Sequence, residues 1–181
     1  LLGIIALLSG EFGDLQSRVL LTTLTIAAFG STALCHLAVI ARRVRMLGFA
    51  GIAASALAAF AALVLIWIDF GYSSNEVWWK LLFVGTVLAL SLAQANLLLL
   101  LLARPHPVIR ITLRVTLVAV AIIAVMIIVP ILTDGHVPGN DFAELYWRLF
   151  GVIAIIDALG TIALPILALV LRRAETADAT A

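Results

Sequence analysis

An all-α membrane protein is the fold class predicted by three observations. Hydrophobic residues make up 65% of the 181-residue chain and charged residues 12%, with a mean hydropathy of +1.24. Soluble domains hold about 45–50% apolar and about 25% charged residues, and a chain of this size has too little interior to hide the excess from water. Second, five apolar runs, 19–41, 48–69, 78–103, 108–132 and 146–171, reach the ~20 residues that a helix needs to cross a hydrocarbon core. Third, the charges lie between these runs and sort by side. The expected architecture is a helical bundle over 1–173, with five complete transmembrane helices and a partial N-terminal one. It is organised as three repeated helical hairpins, 1–42, 48–104 and 108–172.

The first segment, LLGIIALLS at 1–9, is apolar but would rise only about 14 Å as a helix, under half of a hydrocarbon core. It lacks the basic n-region and small-residue cleavage site of a signal peptide. It is expected to be the outer half of a helix that begins upstream; a short re-entrant or interfacial segment is the alternative. The 19–41 run carries Thr22, Thr25, Thr32 and His36 on one face with Phe29 between them, a spacing of three and four that keeps one side inward. Hydroxyls in such a stripe ordinarily bond between helices, whereas His36, near the inner end, is either a structural histidine or a titrating or metal-binding one. The 48–69 run places Ala50, Ala54, Ala58 and Ala62 beside Gly51, Ser55 and Ala59. Small residues at that spacing allow close helix approach, so this helix is expected to be central. The 78–103 run holds Gln94 and Asn96. Two helical residues are about 200° apart, so one is expected to face the bundle and the other a neighbour or partner subunit.

The last two runs contain Pro130 and Pro165 near their ends, where a lost backbone hydrogen bond costs less. Asp157 is the most informative residue of the final run. It lies nine residues from Arg148 and fifteen from Arg172, close to mid-bilayer, where a carboxylate costs at least about 2.5 kcal/mol and should face protein or a wet cavity. Gly160 and Thr161 follow on the same face. Two readings stand side by side: a proton- or cation-relay group, or a protonated carboxyl hydrogen-bonded across helices. In every alternate loop arginine accumulates, at Arg42, Arg43, Arg45, then Arg104, Arg110, Arg114, then Arg172 and Arg173, while Glu11, Asp14, Asp69, Glu76, Asp134, Asp141 and Glu144 mark the other side. Arginine excess predicts a cytoplasmic location for the first set and for the C-terminus. The tail AETADATA, 174–181, is expected to be disordered. Trp67, Tyr72, Trp78, Trp79, Tyr146 and Trp147 gather at the acidic side as an interfacial aromatic belt.

A repeat underlies the hairpins. DLQSRVL (14–20), EVWWKLL (76–82) and ELYWRLF (144–150) each give an acid, three residues, a base and an aliphatic run. Twenty-four residues beyond Arg18, Lys80 and Arg148 stand Arg42, Arg104 and Arg172, a separation of about 36 Å at helical rise. That is one hydrocarbon core with room for the cations to snorkel, so these six residues are expected to be interface charge anchors. The acid sits in the first turn, where the helix dipole favours it, and in the favourable order ahead of the base. Similar helix lengths imposed by membrane thickness are the simpler alternative to an internal duplication.

The segments ELYWRLFGVIAIIDALGTIALPIL, LLSGEFGDLQSRVLLTTLTIA and WWKLLFVGTVLALSLA resemble small, uncharacterised bacterial integral membrane proteins over most of the chain. The resemblance implies the bacterial plasma (inner) membrane and a complete first helix, and it brings no activity, substrate or cofactor. The tenfold excess of arginine over lysine is associated with GC-rich bacterial genomes.

No nucleophile–base set, phosphate-binding glycine loop, CxxC motif or nucleic-acid module is present, and the single Cys35 excludes an intrachain disulfide. Asp134, His136, Asp141 and Glu144 around TDGHVPGND match no defined metal spacing. His106 in ARPHPVIR belongs to an inner turn. The expected function is therefore that of a non-enzymatic accessory or assembly subunit of a larger membrane complex, with no cofactor and no metal. Its partners would be membrane lipids and other membrane subunits, not nucleic acid. The alternatives are a small transporter or ion pathway with Asp157 as coupling acid, and a lipid or quinone binder between helices. The candidate intramembrane polar site is Asp157, Thr161, His36, Thr32, Gln94 and Asn96.

Overall fold

The computed structural model describes residues 13–40, 45–68, 75–101, 107–137 and 142–178. They form five helices: α1 (Asp14–Ile40), α2 (Arg45–Trp67), α3 (Glu76–Leu101), α4 (Pro107–Leu132) and α5 (Ala143–Asp178). All five are long and apolar enough to cross a membrane, the architecture of a multi-pass integral membrane protein. Aliphatic and aromatic side chains such as Leu34, Phe60, Leu90, Val118 and Ile155 stand exposed along every helix. In water this surface would aggregate; in hydrocarbon it is the solvated side. The 1–9 segment, Arg42, Arg104, His106, Tyr72 and Asp141 lie outside the described residues.

Four of the helices begin two to five residues before the corresponding apolar run, because hydropathy misses a polar first turn. At α1 the carbonyl of Gly13 accepts from Ser17 N at 3.2 Å. The side chain of Gln16 reaches back to Gly13 N at 2.6 Å, which is the return half of a capping box. Glu76 and Glu144 occupy the first turns of α3 and α5 and pair with Lys80 at 2.6 Å and Arg148 at 2.5 Å. Arg18 donates to the Trp67 carbonyl at 3.5 Å. At the other end, α5 continues through Ala174–Asp178. Ala174, Glu175 and Ala177 are strong helix formers, and no Gly or Pro interrupts them.

The chain divides into two compact units, one to Ala93 and one from Gln94, with the division inside α3. In the first unit α1 packs on α2, and α2 meets α3. The buried face of α2 is Gly48, Gly51, Ala54, Ser55, Ala58, Ala61, Ala62 and Val64. Ala50, expected on this face, is exposed. Four residues turn a helix by about 400°, so a strict four-residue repeat drifts about 40° per step and carries Ala50 off the contact. A Cβ on Gly85 would lie 3.0 Å from Ala58 Cβ and 3.2 Å from its Cα, so α3 sits on α2 at backbone distance. Phe60 and Trp78 close this contact edge to face at 6.0 Å.

In the second unit α4 packs on α5. Leu98, Ile109 and Leu164 form a buried cluster flanked by Leu113. Gly160 lies against the Thr116 side chain, which would occupy the space of any Cβ there. Helix α4 ends in a turn that satisfies the carbonyls of Val129 and Pro130. Gly135 N donates to Pro130 O at 2.8 Å, the six-to-one bond of a Schellman end, with Asp134 left-handed at φ 54°.

Candidate functional site

Asp157 lies on α5 fourteen residues from its start, with only apolar runs for one turn on either side apart from Thr161. Its half-buried carboxylate faces α3. Gln94 Nε2 donates to both carboxylate oxygens, Oδ1 at 2.9 Å and Oδ2 at 3.1 Å. The same nitrogen is 2.9 Å from Thr161 Oγ1, and Thr161 Oγ1 is 3.4 Å from Asp157 Oδ1. One amide group with two hydrogens therefore serves three oxygens, so at least one bond is shared. The spacing of four places Asp157 and Thr161 on one face of α5. Both partners of the carboxylate are neutral.

A second feature lies one to two turns further along α5. Pro165 has no N–H to donate to the carbonyl of Thr161, four residues earlier. That oxygen is released from the helix ladder beside the Gln94–Asp157–Thr161 cluster, an acceptor that sequence spacing alone identifies. An equivalent gap occurs at Pro130 in α4, which cannot donate to Met126 O. There the vacancy is filled: Tyr146 Oη donates to Met126 O at 2.6 Å, from α5.

The other predicted polar residues fall into place separately. Asn96, expected to face away from the bundle if Gln94 faced it, is fully buried. Gln94 is half-buried against α5 and Asn96 is buried too, so the separation of about 200° sends neither residue outward. In the first unit Thr32 Oγ1 bonds Ser55 Oγ at 3.1 Å between α1 and α2. His36 is fully buried; its ring fills the space above Gly51 on α2. Thr22 accepts from Trp67 Nε1 at 3.1 Å. Thr32 and His36 thus belong to one cluster, and Asp157, Thr161 and Gln94 to another.

Of the charge anchors, Lys80 and Arg148 hold the ion pairs given above, Arg18 reaches Trp67, and the backbone of Arg172 lies within α5. Around the α4–α5 turn, His136 Nδ1 is 2.8 Å from Thr133 O, and the Thr133 hydroxyl donates to His136 O. Among the described residues no group of three His, Cys, Asp or Glu side chains stands close enough to hold a metal ion. Thr116, fully buried on α4 and bonded to Thr112 O at 2.9 Å, was not singled out from the sequence; its signal is the Thr112–Thr116 spacing of four in an otherwise apolar run. No family model matches the chain, and no curated protein or solved structure matches it.

Proposed function

We propose that the chain is a non-enzymatic membrane subunit that acts by packing, as an accessory or assembly component of a larger membrane complex. The observation that carries this reading is how the polar side chains inside the spans are used. Gln94 holds Asp157 and Thr161, Thr32 meets Ser55, Trp67 meets Thr22, and Tyr146 completes α4 at Met126. Each is an interhelical fastener, and in hydrocarbon such bonds fix which helix faces meet. Groups engaged in this way hold a surface in one shape for a partner to read. Asp157→Asn tests it: the amide keeps a polar contact to Gln94, so the variant should remain folded and sediment in the same native complex as the parent chain. A folded, correctly assembled Asp157→Asn that loses proton- or ion-coupled flux in proteoliposomes would establish the other class.

That other class, a small transporter or ion pathway, is favoured by one specific observation. The neutral partners of Asp157 give a carboxylate and a hydroxyl on one face of α5, with a backbone oxygen outside the helix ladder one turn further along at Thr161. Carboxyls inside spans that meet no cation are the usual seats of proton or cation coupling.

A further inference from the structure

We propose that the α4–α5 pair binds one anionic phospholipid, its phosphate held between Arg110 and Arg114 and an acyl chain seated in the groove between the two helices. Arg110 and Arg114 are both exposed on α4, and their spacing of four makes them neighbours on the helix surface. Arg114, Val118 and Val125 fall within about 40° of one another around the axis. Both valines are more than half exposed, so this arginine stands on a lipid-facing stripe. Its depth is the second constraint. Helix α4 has 26 residues and Arg114 follows Pro107 by seven. Centred on a hydrocarbon core of about 30 Å, such a helix puts the Arg114 Cα about 6 Å inside the boundary. A guanidinium at that depth snorkels toward the headgroups and draws a phosphate to itself. Among the described residues neither arginine has a hydrogen bond or an ion pair.

The groove runs over the same turns of α4 and has a volume of about 330 Å³, at the lower end of the range of ligand sites. Ile111 and Val115 form its α4 rim and are more than half exposed, while the buried Thr116 and Gly160 lie at its floor. Thr112 Oγ1 donates to Val108 O at 3.0 Å and Thr116 Oγ1 to Thr112 O at 2.9 Å, so both hydroxyl hydrogens of the lining are spent on α4 itself. Every other lining side chain is aliphatic. A groove with no donor to offer suits a hydrocarbon chain. Charge complementarity selects the headgroup. A guanidinium offers paired donors to a phosphate, and basic residues clustered at the end of a span attract anionic lipid. A zwitterionic headgroup would bring its ammonium against two cations, and an uncharged one would leave both arginines without a counterpart. This goes beyond a packing role, since it assigns a ligand to the chain itself.

The test uses the full chain purified in dodecyl maltoside and stripped of lipid, then offered phosphatidylglycerol or phosphatidylethanolamine, with bound lipid counted by native mass spectrometry. The expected result is one retained phosphatidylglycerol per chain, favoured over phosphatidylethanolamine by about tenfold, the effect of one unmatched charge contact. Arg110→Gln and Arg114→Gln should each lower retention by about fivefold or more. Val115→Trp, at a rim position already half exposed, should block the groove without touching a charge. Arg45→Gln removes an exposed arginine from α2 and should leave retention unchanged. Equal retention of the two lipids, retention that survives both Arg114→Gln and Val115→Trp, an equal loss with Arg45→Gln, or no retained lipid at all would each overturn the proposal.

Discussion

Asp157 shows how one residue can dictate its surroundings. A carboxyl facing lipid leaves a donor and acceptors without partners, and Gln94 supplies a bond to each of its oxygens. The pairing joins α3 to α5, sixty-three residues apart in the chain, so it should register as coupling rather than as two independent contributions. Gln94→Leu alone leaves the acid without its amide partner, and Asp157→Leu alone leaves the amide without its acceptor. Each single change should destabilise the fold, and the double change should cost less than their sum by about 1 kcal/mol, the usual scale of an interhelical hydrogen bond in a membrane. Reversible unfolding in mixed micelles of increasing SDS content measures the cycle. Strict additivity would mean that Gln94 and Asp157 do not stabilise each other. The sequence made both residues conspicuous, because polar side chains in apolar runs are expensive. It could not pair them, since pairing depends on how α3 and α5 are rotated about their own axes.

At the scale of the element, the five helices were legible because hydrocarbon thickness sets their length and apolar composition their solvent. Their ends were not, because caps and first-turn acids are polar: Gly13 with Gln16 at α1 is helix by hydrogen bonding and loop by hydropathy. On α2 the packed face was legible at Gly51, Ala54, Ser55, Ala58 and Ala62 but not at Gly48, Ala61 and Val64, and the miss at Ala50 came from treating a 3.6-residue period as four. Pro130 illustrates what neither composition nor period can convey. It interrupts the ladder of α4 at Met126, and Tyr146 of α5 repairs it. Tyr146→Phe should therefore destabilise the chain by about 1 kcal/mol. In a Pro130→Ala background, where residue 130 regains its own N–H, the same change should cost clearly less. The measurement is again SDS-driven unfolding of the four variants, and an equal cost in both backgrounds would dissociate Tyr146 from the proline gap.

At the scale of the whole molecule, the governing quantity is the asymmetry of charge along the chain. If all five helices cross, each successive loop changes side, and the loops then alternate between arginine-rich and acidic. Arg42 and Arg43 precede Arg45 in the chain, Arg45 opens α2, Arg110 and Arg114 lie in the first turns of α4, and Arg172 and Arg173 lie in the last part of α5. Glu76, Asp134 and Glu144 mark the opposite ends. Arginine retained on the cytoplasmic side sets the orientation, so the start of α2 is predicted to be cytoplasmic and the start of α5 external. Met46 is 84% exposed and Phe142 is 65% exposed, so cysteines placed there report the two levels without disturbing a core. In a Cys35→Ala background, an impermeant maleimide added to intact cells should label Phe142→Cys at once, and Met46→Cys only after the membrane is opened. The reverse pattern would invert the orientation. Labelling of both from outside would contradict the crossing count itself, because the three helices α2, α3 and α4 lie between these positions and an odd number of crossings must leave them on opposite sides.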